Sequence, residues 1–353
     1  MDIEDLVKRF VDKQEKQKKY IYRLNEHSSQ LLTQFKVKKL KIDGVIDSSI
    51  KEEVVGGIPV IHDLSEINKD SLVINCVVNI WPQTVQRKIL EAGMKAIDLF
   101  SFLKWSDYQV EIYQFKGFAE SYQQHRDEYN SVREKFADSE SRIVFDSIIR
   151  LRTQYDFSAL SIFKENQINQ YFEPFLGLKP EGEVFVDIGG FEGETTIRFA
   201  KECPNYAGVY FFEPEPSIMK KAKQALVSYP RVDYFEIAAS DKKETLYFES
   251  NTSGSKVTAD GQLKIQADAI DHLDLKGATY LKMDIEGSES AAIDGAINTI
   301  LRYHPRLAIC VYHKGADLID IPNQVLSIRD DYDLYLRHYT EGLSETVMFF
   351  VPK

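Results

Sequence analysis

The stretch EVFVDIGGFEGETTIRFAKECPNYAGVYFFEPEP, residues 183–216, constrains the fold more than any other part of the chain. It opens on the apolar run Val184-Phe185-Val186, which has the length and β-branched character of a buried parallel strand. Asp187 stands at the end of that run. Gly189, Gly190 and Gly193 then make a tight turn, and Glu194-Thr195 begins a helix. A second apolar run, Gly208 to Phe212, ends in Glu213 and Pro214. Strand, glycine turn, helix, strand and acid form the βαβ unit that holds a nucleoside. The glycines let the backbone approach the ligand, and the acid accepts hydrogen bonds from the ribose hydroxyls.

Charge indicates which nucleoside. A dinucleotide turn reads GxGxxG and seats pyrophosphate on the helix N-terminus. Here Asp187 precedes the first glycine, and Glu192 and Glu194 flank the helix entry. Carboxylates there repel a pyrophosphate and attract an ammonium and a sulfonium, so the turn favours S-adenosylmethionine over NAD.

The rest of the chain narrows the class. A length of 353 residues suits two domains, and a hydrophobic content of 43% suits packed cores. The net charge of −11 comes with no long basic block outside the N-terminal helix, which argues against a nucleic-acid partner. No apolar run approaches a membrane span, and the N-terminal segment has no signal-peptide core. Cys76, Cys203 and Cys310 are far apart and lack metal-ligand spacing, as expected of reduced thiols in a cytoplasmic protein.

Residues 1–105 alternate strand and helix and predict a small parallel sheet. The expected strands are Lys19–Leu24, Ile42–Asp47, a short one at Gly56–His62, Ser71–Val78 and Lys95–Leu99. With its phrase Gly57-Ile58-Pro59-Val60, this part is similar to the Rossmann-like front domain of sugar-modifying enzymes, including acetyltransferases acting on nucleotide-linked sugars. Its first turn, Arg23 to Ser29, contains no glycine, so no dinucleotide is expected to bind there. A docking role, through a protein partner or a second copy, and a structural role both remain open. Residues 106–170 read as a helical connector. Tyr108–Tyr129 and Ser139–Gln154 form amphipathic helices expected to cover one face of the following sheet, with Ile143, Phe145, Ile148, Ile149, Leu151 and Tyr155 as the apolar stripe. Tyr171 or Phe172 either lines the cofactor pocket or anchors helix to sheet.

In residues 171–353 the alternation continues. Val232–Ile237 is a third strand, followed by Ala238-Ala239-Ser240-Asp241, where an adenine ring would be edged. Glu244–Glu249 and Gln262–Asp268 predict a hairpin around the polar loop 251–256. Thr279–Met283 is strand four, ending in Asp284-Ile285-Glu286-Gly287, and Ser290–Leu301 is a helix. Arg306–Tyr312 is strand five and delivers His313; a terminal antiparallel hairpin closes the sheet. The expected fold is α/β, a doubly wound sheet with its ligands beyond the C-terminal strand ends.

The phrases FVDIGGFEGETT, FFEPEP, AASD, LKMDIEGSES, VYHKGADLIDIP and RHYTEGLSETVMFF, in this order, resemble the FkbM-type methyltransferases over about residues 170–353. The chain departs at Phe191, where that family usually has Asn or a small residue. The resemblance implies the class I S-adenosylmethionine-dependent fold and methylation of hydroxyls on sugars and other natural products. The expected cofactor residues are Asp187, Gly189, Gly190, Gly193, Glu194, Thr195, Glu213, Pro214, Ala239, Ser240 and Asp284. Those expected to act on the acceptor are His313, as a neutral base, with Asp284 and Glu286. Mg2+ held by Asp284, Glu286 and His313 is an alternative, with Glu289 expected to interact with the first turn of its own helix. A catalytically silent cofactor-binding scaffold and an NAD-dependent oxidoreductase are the competing function classes.

Overall fold

The computed structural model describes residues 2–249, 256–257 and 263–353. Contacts divide the chain into two compact units: Met1–Gln124, Ile143–Gln167 and His338–Ser344 form one, and His125–Arg142, Ile168–Arg337 and Glu345–Lys353 form the other. Among the described residues no helix is long and apolar enough to cross a membrane.

The first unit is built on strands β1 (Lys19–Tyr22), β2 (Gly44–Ile46), β3 (Val54–Val55), β4 (Ile58–Ile61), β5 (Leu72–Asn75) and β6 (Lys95–Asp98), in the order β3-β4-β2-β1-β5-β6. All neighbours pair in parallel except β3 with β4. Tyr20, Ile46, Val73 and Ala96 from the strands pack with Leu64, Ile67, Ile89 and Met94 as one core cluster. β5 stops short of the expected Val78 because the Asn75 side chain takes over the backbone. Its Oδ1 accepts from the Val77 amide and its Nδ2 donates to the Pro82 carbonyl, turning the chain into the helix Pro82–Glu91.

The chain reverses between β1 and β5, the place where such sheets bind ligands. There the Arg23 guanidinium lies 3.2 Å from Asp47 Oδ1, and the Leu24 amide donates to Asp47 Oδ2. The next helix, Glu26–Lys38, is capped by its own Asn25 and Ser28, each side chain accepting from the other's amide. Side chains therefore occupy the amides a pyrophosphate would use. Titrating the full chain with NAD or NADP should give no saturable heat; micromolar saturation would show that this turn still takes a dinucleotide.

The connector departs from its expectation. Residues 108–112 are not helical, and His125 separates the helices Phe118–Gln124 and Arg126–Lys135. In the helix Ser139–Gln154, Phe145, Ile148, Ile149 and Leu151 are buried as the spacing predicts, whereas Ile143 is 53% exposed. From Ile143 onward this helix belongs to the first unit, while its first turn belongs to the second, where Ser141 Oγ accepts from the Leu336 amide at 2.9 Å. Periodicity identifies a buried face but not the sheet that face meets.

The second unit holds β7 (Val184–Ile188), β8 (Gly208–Phe212), β9 (Val232–Phe235), β10 (Ala238–Ser240), β11 (Glu244–Glu249), β12 (Lys256–Val257), β13 (Leu263–Ala269), β14 (Tyr280–Met283), β15 (Arg306–Cys310), β16 (Tyr332–His338) and β17 (Thr346–Pro352). The main sheet runs β16-β17-β15-β14-β7-β8-β9, parallel from β9 to β15, with β17 antiparallel to β15. This is the doubly wound arrangement expected. β11 and β13 pair antiparallel as the expected hairpin, within a separate small sheet of order β10-β13-β11-β12. Residues 251–255 of the expected loop, and Gln262 at the start of its return strand, lie outside the described residues.

The single helix expected over Ser290–Leu301 is two, Glu289–Asp294 and Ile297–Tyr303. They part at Gly295, where a Cβ would come within 1.9 Å of the Ser240 carbonyl oxygen. Only glycine lets β10 pack this closely against the helix.

Candidate active site

β7 and β14 are neighbours in the middle of the main sheet, where its winding reverses, and their C-terminal ends carry most of the expected residues. At Gly189 the backbone has φ +76° and a Cβ would lie 2.0 Å from the Asp284 carbonyl oxygen; at Gly190 a Cβ would strike the Phe211 ring at 2.2 Å. These glycines bring the turn flush against the end of β14 and the side of β8. Gly193, at φ +95°, caps the helix Glu194–Glu202. Glu213 leaves the adjoining β8 buried, with Oε1 accepting from the Glu215 amide at 2.9 Å. Burial pushes its carboxyl up to about 7, against the pull of the Glu215 and Phe191 amides.

Asp187 is fully buried. Its Oδ2 accepts from Thr196 Oγ1 at 2.8 Å, and its Oδ1 lies 3.3 Å from Lys282 Nζ. Lys282 was not foreseen. It sits in β14 directly beside Asp187 in the strand register, is itself buried, and donates to the Gly189 carbonyl at 2.6 Å. Burial works against its charge, but the carboxylates of Asp187 and Asp284 outweigh that and hold the ammonium above its ordinary value. One lysine thus ties the glycine turn to both strands. A charged residue inside the apolar run Tyr280–Met283 was the available signal.

The other edge of the site gathers around His313, which follows β15 and is 8% exposed. Its Nδ1 lies 2.9 Å from Glu289 Oε1, and its Nε2 lies 3.4 Å from Asp284 Oδ1 and 3.8 Å from Glu286 Oε2. The expectation of a neutral imidazole does not hold in this setting. Burial alone would strip the proton, but Glu289, then Asp284 and Glu286, reverse the balance and raise the ring to about 9. Glu289 was expected to serve its helix; instead its carboxylate folds back to accept from the Ile285 amide at 2.9 Å and to face His313.

Asp284 is further held from the side of β15. Tyr171 donates to its Oδ2 at 2.8 Å, and Tyr312 lies 3.4 Å from both Asp284 Oδ1 and Glu345 Oε1. Burial opposes the Asp284 charge, yet Lys282, His313 and Tyr171 keep the carboxyl below its usual range. Glu345, also unforeseen, is raised to about 7 by burial and then by Asp284. Tyr171 therefore acts from beneath the site, being 6% exposed, and Phe172 stacks under the Arg198 guanidinium.

Other expected residues stand apart. Glu194 is exposed on the first helical turn, while Thr195 and Pro214 are half-buried. Ala239 and Ser240 are buried in β10, part of the small sheet, and the Ser240 hydroxyl is engaged by Glu244 at 3.0 Å and Asp241 at 3.2 Å.

Residues 187–330 match the family profile described as the Methyltransferase FkbM domain. Over 150 residues the chain is 26% identical to the 2-O-methyltransferase NoeI of Sinorhizobium fredii (strain NBRC 101917 / NGR234), an alignment covering 35% of this chain and 61% of that protein. The chain thus spans less than two thirds of this curated relative. Its fold is similar to that in the crystal structure of Methyltransferase FkbM from Methylobacillus flagellatus KT, with a TM-score of 0.76, 20% identity, and coverage of 99% of this chain and 92% of the other. Residues 187–330 are thus similar to the FkbM methyltransferase domain, and the chain shares its fold with the Methylobacillus flagellatus protein.

Proposed function

We propose that this chain transfers a methyl group from S-adenosylmethionine to a hydroxyl oxygen of a sugar, a glycan precursor or a related natural product. The observation that carries the reading is Glu213, a buried carboxyl at the strand end beside the glycine turn, inside the segment that matches the FkbM domain. The name of NoeI, a 2-O-methyltransferase, supports oxygen as the acceptor atom. The residues suit the cofactor. Glu213 gains hydrogen-bond donors from a ribose, and Gly189 and Gly190 leave room that any Cβ would fill. Asp187, ion-paired with Lys282 at 3.3 Å, braces the turn from behind.

The cofactor supplies an electrophilic methyl on a sulfonium whose charge is lost on transfer. The chain's own residues bind and orient. Glu213 holds the ribose, while Asp187 and Lys282 fix the turn from behind. Alignment of this kind supplies up to ~7–11 kcal/mol of a barrier. Asp284 presents a carboxylate toward the acceptor's hydroxyl proton, flanked by Glu286. The His313 imidazolium beside them favours the negative charge growing on that oxygen.

Calorimetry with S-adenosylmethionine tests the binding half. Glu213→Ala should cost roughly 2–4 kcal/mol of affinity, through loss of charge-assisted hydrogen bonds. Because burial raises this carboxyl to about 7, the wild-type affinity should be flat above that pH. Below it, affinity should fall about tenfold per pH unit as the carboxylate protonates, and the alanine variant should lack this limb. Unchanged affinity in the variant would remove Glu213 from the site. Mass spectrometry of candidate acceptors, seeking a product heavier by one methylene, separates the enzyme from a silent scaffold.

A further inference from the structure

Asp284, Glu286 and Glu289 gather around one buried histidine, His313. Asp284, Glu289 and His313 each offer one ligand atom, and these atoms lie within 4.8 Å of one another. They come from the end of β14, the start of the helix Glu289–Asp294 and the residues after β15, so three separate elements converge.

A second observation is independent of this proximity. Glu289 and His313 have side chains only 1% and 7% exposed. Yet Glu289 Oε2 and His313 Nε2 have no aligned hydrogen-bond partner among the described residues, and Nδ1 meets only the Glu289 carboxylate of the same cluster. Orphaned polar atoms this deep are unfavourable unless a ligand completes them.

We propose that Asp284, Glu289 and His313 form a binding site for a divalent first-row transition ion of the Mn2+ to Zn2+ range. One imidazole nitrogen, which gives up its proton as the ion binds so that the ion replaces the imidazolium charge, makes with two carboxylate oxygens a mixed donor set; all-oxygen cages are what Mg2+ and Ca2+ prefer. Bonds of ~2.0–2.2 Å place ligand atoms roughly 3–4 Å apart; Glu289 faces Nδ1 and Asp284 faces Nε2, so binding one ion requires one carboxylate to swing toward the other's nitrogen. Glu286, at 3.8 Å from His313 Nε2, stands at the open side as a further oxygen donor. The use of the ion, polarising the acceptor oxygen as a Lewis acid, rests on the methyltransferase reading; its binding does not.

The test titrates the full chain, stripped with EDTA, with MnCl2 by calorimetry, with free Mn2+ followed by electron paramagnetic resonance and no cofactor present. One ion per chain should bind with a micromolar Kd, and at least tenfold more weakly in Glu289→Gln and in Asp284→Asn. Glu192→Gln, an acid paired with Lys221 outside the cluster, should bind as the wild type does. ZnCl2 should bind more tightly than MnCl2, and MgCl2 more weakly. Absence of saturation up to millimolar Mn2+, equal affinity in both cluster variants, or tighter binding of Mg2+ than of Mn2+ would each overturn the site. If Glu289→Gln fails to fold, Asp284→Asn and the wild-type titration still decide. A chain that binds no Mn2+ but methylates an acceptor in EDTA loses this site and keeps its methyltransferase reading.

Discussion

Replacing Lys282 by methionine should lower the unfolding free energy by about 3–5 kcal/mol at neutral pH, the usual consequence of removing one partner from a buried ion pair. Methionine fills a similar volume, so the loss isolates the charge. In the native chain the Lys282 ammonium lies 3.3 Å from Asp187 Oδ1, and the two side chains are 3% and 0% exposed. Without it, Asp187 stays in a dry interior without its cation, the partly exposed Asp284 has one cation fewer, and the Gly189 carbonyl loses its donor. The deficit should shrink in acid, where the stranded carboxyls take up protons instead of remaining charged. Asp187→Asn in the same chain should restore much of the loss, because the neutral pair leaves less uncompensated charge. Denaturant midpoints for the two single variants and the double variant measure the coupling directly. A loss below about 1 kcal/mol in the single lysine variant would mean that water reaches the pair.

That lysine also shows where sequence reasoning stopped. The glycine turn and the Asp284-Ile285-Glu286-Gly287 segment were legible because their chemistry is local: each is one strand end with its own turn. The role of Lys282 depends on its register opposite Asp187, 95 positions earlier in the numbering, and only strand pairing reveals it. Tyr171 and Glu345 reach Asp284 and Tyr312 from segments with no periodic signature. The helix Ser139–Gln154 makes the same point for the fold. Its stripe foretold burial of Phe145, Ile148 and Leu151, but the same stripe would serve against either sheet. The charge state of His313 escaped for a related reason. A histidine after an apolar strand is neutral by default, and Glu289, which overturns that default, had a plausible duty on its own helix.

His313→Ala should slow methyl transfer by ~10²-fold or more, the scale of a lost acid–base or charge-stabilising group, while leaving S-adenosylmethionine affinity nearly intact. The two halves of that expectation follow from where the ring lies. His313 faces Asp284, Glu286 and Glu289, whereas Glu213, the acid proposed for the ribose, follows β8, on the far side of β7 from β14. Removing the ring takes the positive charge away from the oxygen that must lose its proton, so the cost falls on turnover more than on cofactor binding. Because the change also strands the buried carboxylate of Glu289, turnover should be compared at temperatures where circular dichroism shows both proteins folded. Asp284→Asn should be as damaging, since the same oxygen then loses its anionic neighbour. Glu286, with a side chain 39% exposed, should matter less. Normal turnover by His313→Ala on its true acceptor would leave alignment of the two substrates as the chain's sole catalytic device. A parallel loss of cofactor affinity would instead place the ring against the methionine end of the ligand.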